Sequence, residues 1–333
     1  MLMPFDDVGM SIVFSHRTSL LVYRVPGRAT YMHRLPIEPA PLAARYPAKA
    51  ALDRARIVLL DMGVPAEELE TVDVLVGSDS VRVSNPAVRC RVFSQTLPPG
   101  ALCRLADGVF ATSPEFCFLQ MANVFSDRRE LIEFGYELCG GYELSIDPAG
   151  AYRDRPTLAT VNSIRALLSG FTKVKGLRTA FRALTYVRDG ARSPMEAATA
   201  MTLVLPKRLG GLGVRSLRMD MPVPVPREFR GLTRYRKHVC DCLVLGKKLD
   251  LEYNGFHHDD EVRKVEDEER RSALEAMGYR VKVLSKRAFF DCVAYRRYLR
   301  SLLQIFGIDE TYLPEGFWAK QEELRRFVLR RWL

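Results

Sequence analysis

The stretch Val239-Cys240-Asp241-Cys242-Leu243-Val244-Leu245-Gly246-Lys247-Lys248-Leu249-Asp250-Leu251-Glu252-Tyr253-Asn254-Gly255-Phe256-His257-His258 decides how this chain folds and what chemistry it can carry. Residues 239–245 and 249–253 are two β runs joined by Gly246-Lys247-Lys248, which predicts a hairpin, and Asn254-Gly255 then turns the chain. Asp241 stands among apolar neighbours in the first run, where an unpaired carboxylate is costly to bury. Glu252 lies in the second run, so the two acids can approach on one sheet, with Asn254 two residues further and on the same side. Like charges repel. A divalent cation reverses that penalty, and Mg²⁺, or Mn²⁺ in its place, takes one or two carboxylates together with water and phosphate oxygens. Asp250 shares the alternation of Glu252 and reads as an exposed edge position. Cys240 and Cys242 flank Asp241 and should point away from it as reduced apolar fillers.

Outward from the hairpin, the elements keep a definite order. Ser193-Pro194-Met195-Glu196 is a helix start, with a capping Ser, a Pro at the first helical position and an acid in the first turn. The helix runs to about Leu205, and Glu196 is a further candidate for the acidic site. Pro206 and Gly210-Gly211-Leu212-Gly213 end it, and Pro222-Val223-Pro224-Val225-Pro226 forces an extended path. After the hairpin comes a charged helix from about Asp260 to Met277, closed by Gly278, then a strand over Tyr279–Leu284 and a helix over Arg287–Leu303. The tail from Glu315 places Trp318, Leu324, Phe327, Val328 and Trp332 on one helical face, a packing stripe. His257 and His258 form the chain's only adjacent histidine pair. Alone they would be solvated turn residues; beside two acids, imidazoles that titrate near neutrality point to proton transfer.

The first 190 residues read as mixed α+β. Helices are predicted over 41–62, 114–125, 128–138, 157–168 and 174–187, and the clearest strands are Val72–Val76 and Val88–Phe93. Asp189-Gly190 marks the boundary. A length of 333 residues with 47% hydrophobic residues supports a proper core and excludes disorder as the default. The formal net charge of +10 is concentrated: residues 171–237 hold 15 Lys or Arg against 4 Asp or Glu, a net of +11. Such a run is either a solvated face or a grip on a phosphate backbone, and Arg215, Arg218, Arg234, Arg236 and Lys237 are the candidates for nucleic-acid contact. Seven cysteines without C-x-x-C spacing argue against a zinc site. No long apolar run or signal-peptide pattern is visible, so a cytoplasmic protein without membrane partners is expected.

Ser193-Pro194-Met195-Glu196, Asp241 on a strand, Glu252-Tyr253-Asn254-Gly255-Phe256-His257-His258, and then Asp267, Arg270, Leu274 and Gly278 together resemble the Vsr-like, very-short-patch-repair type of PD-(D/E)XK nuclease domain over about a third of the chain. The resemblance implies a restriction-endonuclease-like mixed sheet flanked by helices. It also implies a metal site from Glu196, Asp241 and Glu252, assistance from His258, and support from Asp267 and Arg270. Asn254 departs from the pattern, because the wider superfamily usually has Lys there and the Vsr-like group commonly Asp. The front half resembles, more weakly, the C-terminal region of AbiEi-type antitoxins through Val72–Val76, Thr112-Ser113-Pro114, Leu119–Ala122 and Glu137–Gly140; their usual winged helix is not evident.

The expectation is thus an α/β (α+β) protein with an N-terminal domain over 1–190, a nuclease-like domain over 191–303 and a helical tail over 304–333. The expected activity is Mg²⁺-dependent hydrolysis of DNA, with Asp241, Glu252, Asn254, His258 and Glu196 at the centre. The alternatives are a DNA-binding regulator of a toxin–antitoxin system, with a toxin as partner, and a structural protein that binds another through its front domain.

Overall fold

A computed structural model describes residues 11–27, 42, 46–82, 85–147, 150–255 and 261–333. The chain divides into two compact units, Met1–Thr185 and Tyr186–Leu333. The boundary falls five residues before the expected one, because the segment preceding Ser193 is tied into the second unit: Arg188 donates to Leu217 O at 3.1 Å and to Arg215 O at 3.2 Å.

Unit 1 is built on a five-stranded mixed sheet. Strands β1 (Ile12–Phe14), β2 (Val72–Val76), β3 (Val88–Val92), β4 (Leu102–Ala106) and β5 (Val109–Thr112) lie in the order β3-β2-β1-β5-β4. The shortest strand is the central one: β1 pairs antiparallel with β2 and parallel with β5, and its three residues are buried. Helix α1 (His16–Tyr23) follows it directly, and α2 (Lys49–Met62) buries the stripe Leu52, Ala55 and Leu59. The helix predicted from residue 41 therefore starts, among described residues, at Lys49. Helix α3 (Pro114–Met121) is buried at every position, started by Ser113, whose hydroxyl accepts from Phe116 N. The amphipathic α4 (Arg128–Cys139) opens on a capping box from Asp127 and Glu130. A small hairpin, β6 (Tyr142–Glu143) and β7 (Arg153–Asp154), and helices α5 (Val161–Ser169) and α6 (Leu177–Leu184) complete the unit.

Unit 2 follows the order read from the sequence. Helix α7 (Pro194–Val204) leads into β8 (Leu217–Pro224), β9 (Lys237–Val244) and β10 (Leu249–Asn254), then α8 (Glu261–Ala276), β11 (Arg280–Ser285), α9 (Lys286–Phe290), α10 (Cys292–Phe306) and α11 (Phe317–Leu329). The sheet order is β11-β10-β9-β8, antiparallel from β8 to β10 and parallel between β10 and β11. The proline-rich extended segment is thus an edge strand, where Pro222 and Pro224 are tolerated because a missing N–H need not break an inner ladder. The mixed sheet flanked by helices agrees with the expected α+β class. Leu274 of α8 and Met277 just after it close a core with Cys240, Leu243, Val223 and Val225.

Two expectations are corrected. The helix predicted over 287–303 is two, because Asp291 ends α9 and starts α10, its carboxylate accepting from Ala294 N at 2.6 Å. The tail is no separate segment: α11 packs on α7, Leu324 and Val328 are buried, and Arg325 donates to the carbonyls of Phe289 and Phe290 at 3.0 Å. Of its packing stripe, Leu324 and Val328 belong to the core of unit 2, Trp318 and Phe327 are half-buried and Trp332 stays exposed. Among the described residues no helix is long and apolar enough to cross a membrane.

Candidate functional site

The candidate site lies in unit 2, where β9, β10 and the first turn of α7 come together. Glu196 is the one charged residue of helix α7, and all the others are buried. Ser193 caps it by accepting from Glu196 N at 3.1 Å; in return Glu196 Oε1 accepts from the Ser193 hydroxyl at 3.0 Å and Oε2 from Arg192 N at 2.9 Å. The cap fixes the carboxylate at the end of the helix that packs on β9 and β10. Burial pushes Glu196 up to about 7, with the negative charge of Asp241 adding to it against the Arg192 and Ser193 donors.

Asp241 is central in β9, with Cys240 and Cys242 buried on either side of it as free thiols. The ladder between β9 and β10 pairs Val244 with Leu249 and Leu243 with Asp250 and goes no further, so the two strands part on the way to Asp241 and Glu252. There the Tyr253 N–H donates to the Asp241 carboxylate. Burial, then the charge of Glu252, raises Asp241 to about 6, although Arg270 and the Tyr253 N–H pull the other way.

Arg270, on α8, is the counterweight. It donates to Glu252 Oε1 and to Val239 O, the latter at 2.9 Å, and its Nη1 stands 3.8 Å from Asp250 Oδ2. Of the predicted supporting pair, Arg270 thus fixes Glu252 to the backbone of β9. Asp267 is exposed and acts on Arg270 only through its charge. Asn254 ends β10 as an exposed residue paired in register with Ser285. His257 and His258 lie outside the described residues.

Asp250 corrects the expectation of an exposed edge position. Strand β10 is inside the sheet, and Asp250 is 0% exposed. Neither of its oxygens has a hydrogen bond of normal geometry, and Glu252, Asp241 and the Cys240 thiol are its near neighbours beside Arg270. Burial and the Glu252 charge drive its proton affinity well above the usual carboxylate range.

Two contributors were not visible in the sequence. Asp220 of β8 adopts a left-handed backbone, φ 48°, at the one gap in the ladder, between Met219–Cys242 and Met221–Cys240, opposite Asp241. A non-glycine residue held there costs about 1–3 kcal/mol and such strain concentrates at functional sites. Gly190 permits it: a Cβ on Gly190 would meet Met219 O at 3.1 Å and Asp220 Cβ at 3.2 Å. Arg192 is the second, with Nη1 3.7 Å from Asp220 and its N–H on Glu196. The only sequence signals were an acid between two methionines and an Arg beside a helix start.

Among the described residues no three His, Cys, Asp or Glu side chains are grouped closely enough to enclose a metal ion. The arrangement is instead a line of acids along parted strands with one arginine among them. Of the basic candidates, Arg215, Arg218, Arg236 and Lys237 are exposed. Arg234 is also exposed but committed: it pairs with Glu266, lies over the Tyr235 ring, and its N–H donates to Glu269 at 2.9 Å. No family model, curated protein or solved structure matches the chain.

Proposed function

We propose that unit 2 is a divalent-metal-dependent nuclease that hydrolyses phosphodiester bonds of DNA. The observation that carries this reading is the line of Glu196, Asp241 and Glu252 where β9 and β10 part, the first raised to about 7 by burial and the charge of Asp241, the second to about 6 by burial and the charge of Glu252. Nothing in the packing of a small sheet requires acids there, and perturbed groups of this kind concentrate at catalytic sites.

The donor set suits Mg²⁺, which needs only one or two carboxylates and takes the rest of its shell from water and phosphate. Asp241 and Glu252 would hold it, with Glu196 adjacent; a third negative charge from position 254 is replaced by the neutral Asn254. When bound, the ion supplies the positive charge that the acids lack and a Lewis acid for the phosphate oxygens. The residues themselves do the rest. Arg270 orients Glu252, and the Tyr253 N–H orients Asp241. Glu196, with a proton affinity matched to neutral pH, can take a proton from an attacking water at either carboxylate oxygen. Arg218, Arg236 and Lys237 offer exposed cations for the backbone.

Incubation with plasmid and with duplex, single-stranded and mismatched oligonucleotides in Mg²⁺ or Mn²⁺ tests this. Cleavage is expected to need the metal and to fall by at least about a hundredfold in Glu252→Ala and Asp241→Asn. Absence of metal-dependent cleavage on every substrate would overturn it. One observation favours a second reading: Glu252 already has a cation in Arg270, so the site can be held together without a metal. This is the DNA-binding regulator of a toxin–antitoxin pair, and it calls for salt-dependent DNA retention that neither substitution changes.

A further inference from the structure

Unit 1 contains a cavity of about 350 Å³ unrelated to the carboxylates of unit 2. Its wall includes His16, Arg91, Phe93, Gln120, Lys173 and Lys175, and no Asp or Glu lines it. We propose that this cavity binds a nucleoside monophosphate, either free or as the phosphorylated end of a single strand, with Lys173, Lys175 and Arg91 receiving the phosphate and Phe93 and Gln120 receiving the base.

Four independent features support the assignment. Gln120 is 5% exposed; its Oε1 accepts from His16 N at 3.1 Å and from the Thr112 hydroxyl at 2.9 Å, and its Nε2 has no acceptor within the protein. A buried amide donor left unsatisfied costs on the order of 1–3 kcal/mol, a cost that a ligand carbonyl or ring nitrogen would remove. Phe93 is a half-buried ring backed edge-on by Phe116 at 5.1 Å and Phe171 at 5.6 Å, a braced face of the kind on which bases stack.

The local potential is positive. Arg91 and Arg89 share Asp73 at 2.8 and 3.6 Å, which leaves one cation in excess, and Lys173 and Lys175 add two exposed ammonium groups. The neighbouring His16 is pushed down to about 3, first by burial and then by those two arginines, so it remains neutral. Finally, the wall is held in a costly shape. His16 and Lys173 both take left-handed backbones, φ 49° and 54°, and the segment carrying the lysines is tied down by Gln95 to Thr172 O at 2.6 Å and Asn123 to Lys175 O at 2.9 Å. Strain in two non-glycine residues facing one cavity is the pattern expected of a built binding site. The volume, at the low end of the roughly 300–1,000 Å³ typical of ligand pockets, suits one nucleotide.

Calorimetric titration of the full chain tests the proposal, with AMP, CMP, adenosine and inorganic phosphate as probes, and a tetranucleotide with or without a 5′-phosphate. AMP or CMP should saturate at one per chain, and adenosine and phosphate should each bind at least about tenfold more weakly. Lys173→Gln/Lys175→Gln should weaken the nucleotide at least about tenfold with unchanged melting temperature, whereas Lys49→Gln/Arg54→Gln, the same charge change on α2, should not. Phe93→Leu should weaken nucleotide but leave phosphate binding as it was. If the 5′-phosphorylated tetranucleotide binds more tightly than AMP, the strand end is the ligand; if more weakly, the free nucleotide is. No saturation by AMP or CMP at millimolar concentration, phosphate binding as tight as AMP, or equal affinity in the double lysine variant would each overturn it.

Discussion

Both units bury carboxylates, and Glu137 of unit 1 is provided for in the opposite way to the acids of unit 2. In unit 1, Glu137 is 2% exposed and meets the Arg24 guanidinium twice, at 2.8 and 2.7 Å, and also accepts from Leu144 N at 3.3 Å. Burial alone would raise its proton affinity, yet Arg24 and Arg155 hold it below the usual range. In unit 2, Glu196, Asp241, Asp250 and Glu252 gather with one well-placed guanidinium, Arg270, and the first three are all driven upward. A fully matched acid is part of the scaffold. An unmatched group of them is a stability cost that folding alone does not explain, and it marks where a cation or a proton is meant to go.

The largest effect is expected at Arg24. Arg24→Met leaves Glu137 buried without its partner and should cost roughly 3–5 kcal/mol in urea unfolding followed by a unit 1 probe. Arg270→Met should cost less, roughly 2 kcal/mol at pH 8, and part of that should be recovered at pH 5, where Asp241 and Asp250 already hold protons. An equal cost at both pH values would mean that Arg270 serves packing rather than charge.

A smaller effect of opposite sign is expected from the acids themselves. Asp241 and Glu196 titrate near 6 and 7 in the folded chain, above their ordinary 3.8 and 4.5. Between about pH 4 and 7 the folded state therefore holds protons that the unfolded chain has released. Their contribution is fully present below pH 4 and is lost as the pH rises through 6 and 7. Asp241→Asn and Glu196→Gln should accordingly stabilise unit 2 by roughly 1–2 kcal/mol each at pH 8 and change little at pH 4. Denaturant midpoints at the two pH values decide this; destabilisation at pH 8 would show the carboxylates to be ordinary structural groups.

Much of unit 2 was legible because its signals are local. Ser193-Pro194 starts α7, Gly278 with φ 81° closes α8, and the alternation around Asp241 and Glu252 places both on adjacent strands. What was hidden depends on partners distant in sequence. Asp250 looks like an edge residue until β11 pairs with β10 and makes the strand interior. Asp220 carries no motif, since its significance comes from a backbone conformation that Gly190 allows. In unit 1, three residues of β1 are too few to show a period, yet non-local pairing with β2 and β5 makes them the centre of the sheet. The charge run was also only partly informative, because it cannot show that Arg234 is spent on Glu266 and Glu269.

The finest discrimination between the two kinds of carboxylate is their response to a divalent ion. If Asp241 and Glu252 are to hold one, binding competes with the protons that Asp241 and Glu196 retain, so Mg²⁺ or Mn²⁺ should stabilise unit 2 more at pH 8 than at pH 6. With an affinity near 1 mM, 10 mM ion would contribute about 1.4 kcal/mol, a rise of roughly 3–6 °C in melting temperature. Asp241→Asn should abolish that rise, while Arg24 and Glu137, already matched, give unit 1 no reason to respond. A rise of the same size in the Asp241→Asn protein would assign the ion to some other surface. An absent rise in both proteins, set beside intact DNA retention, would leave Arg270 in the place of the metal.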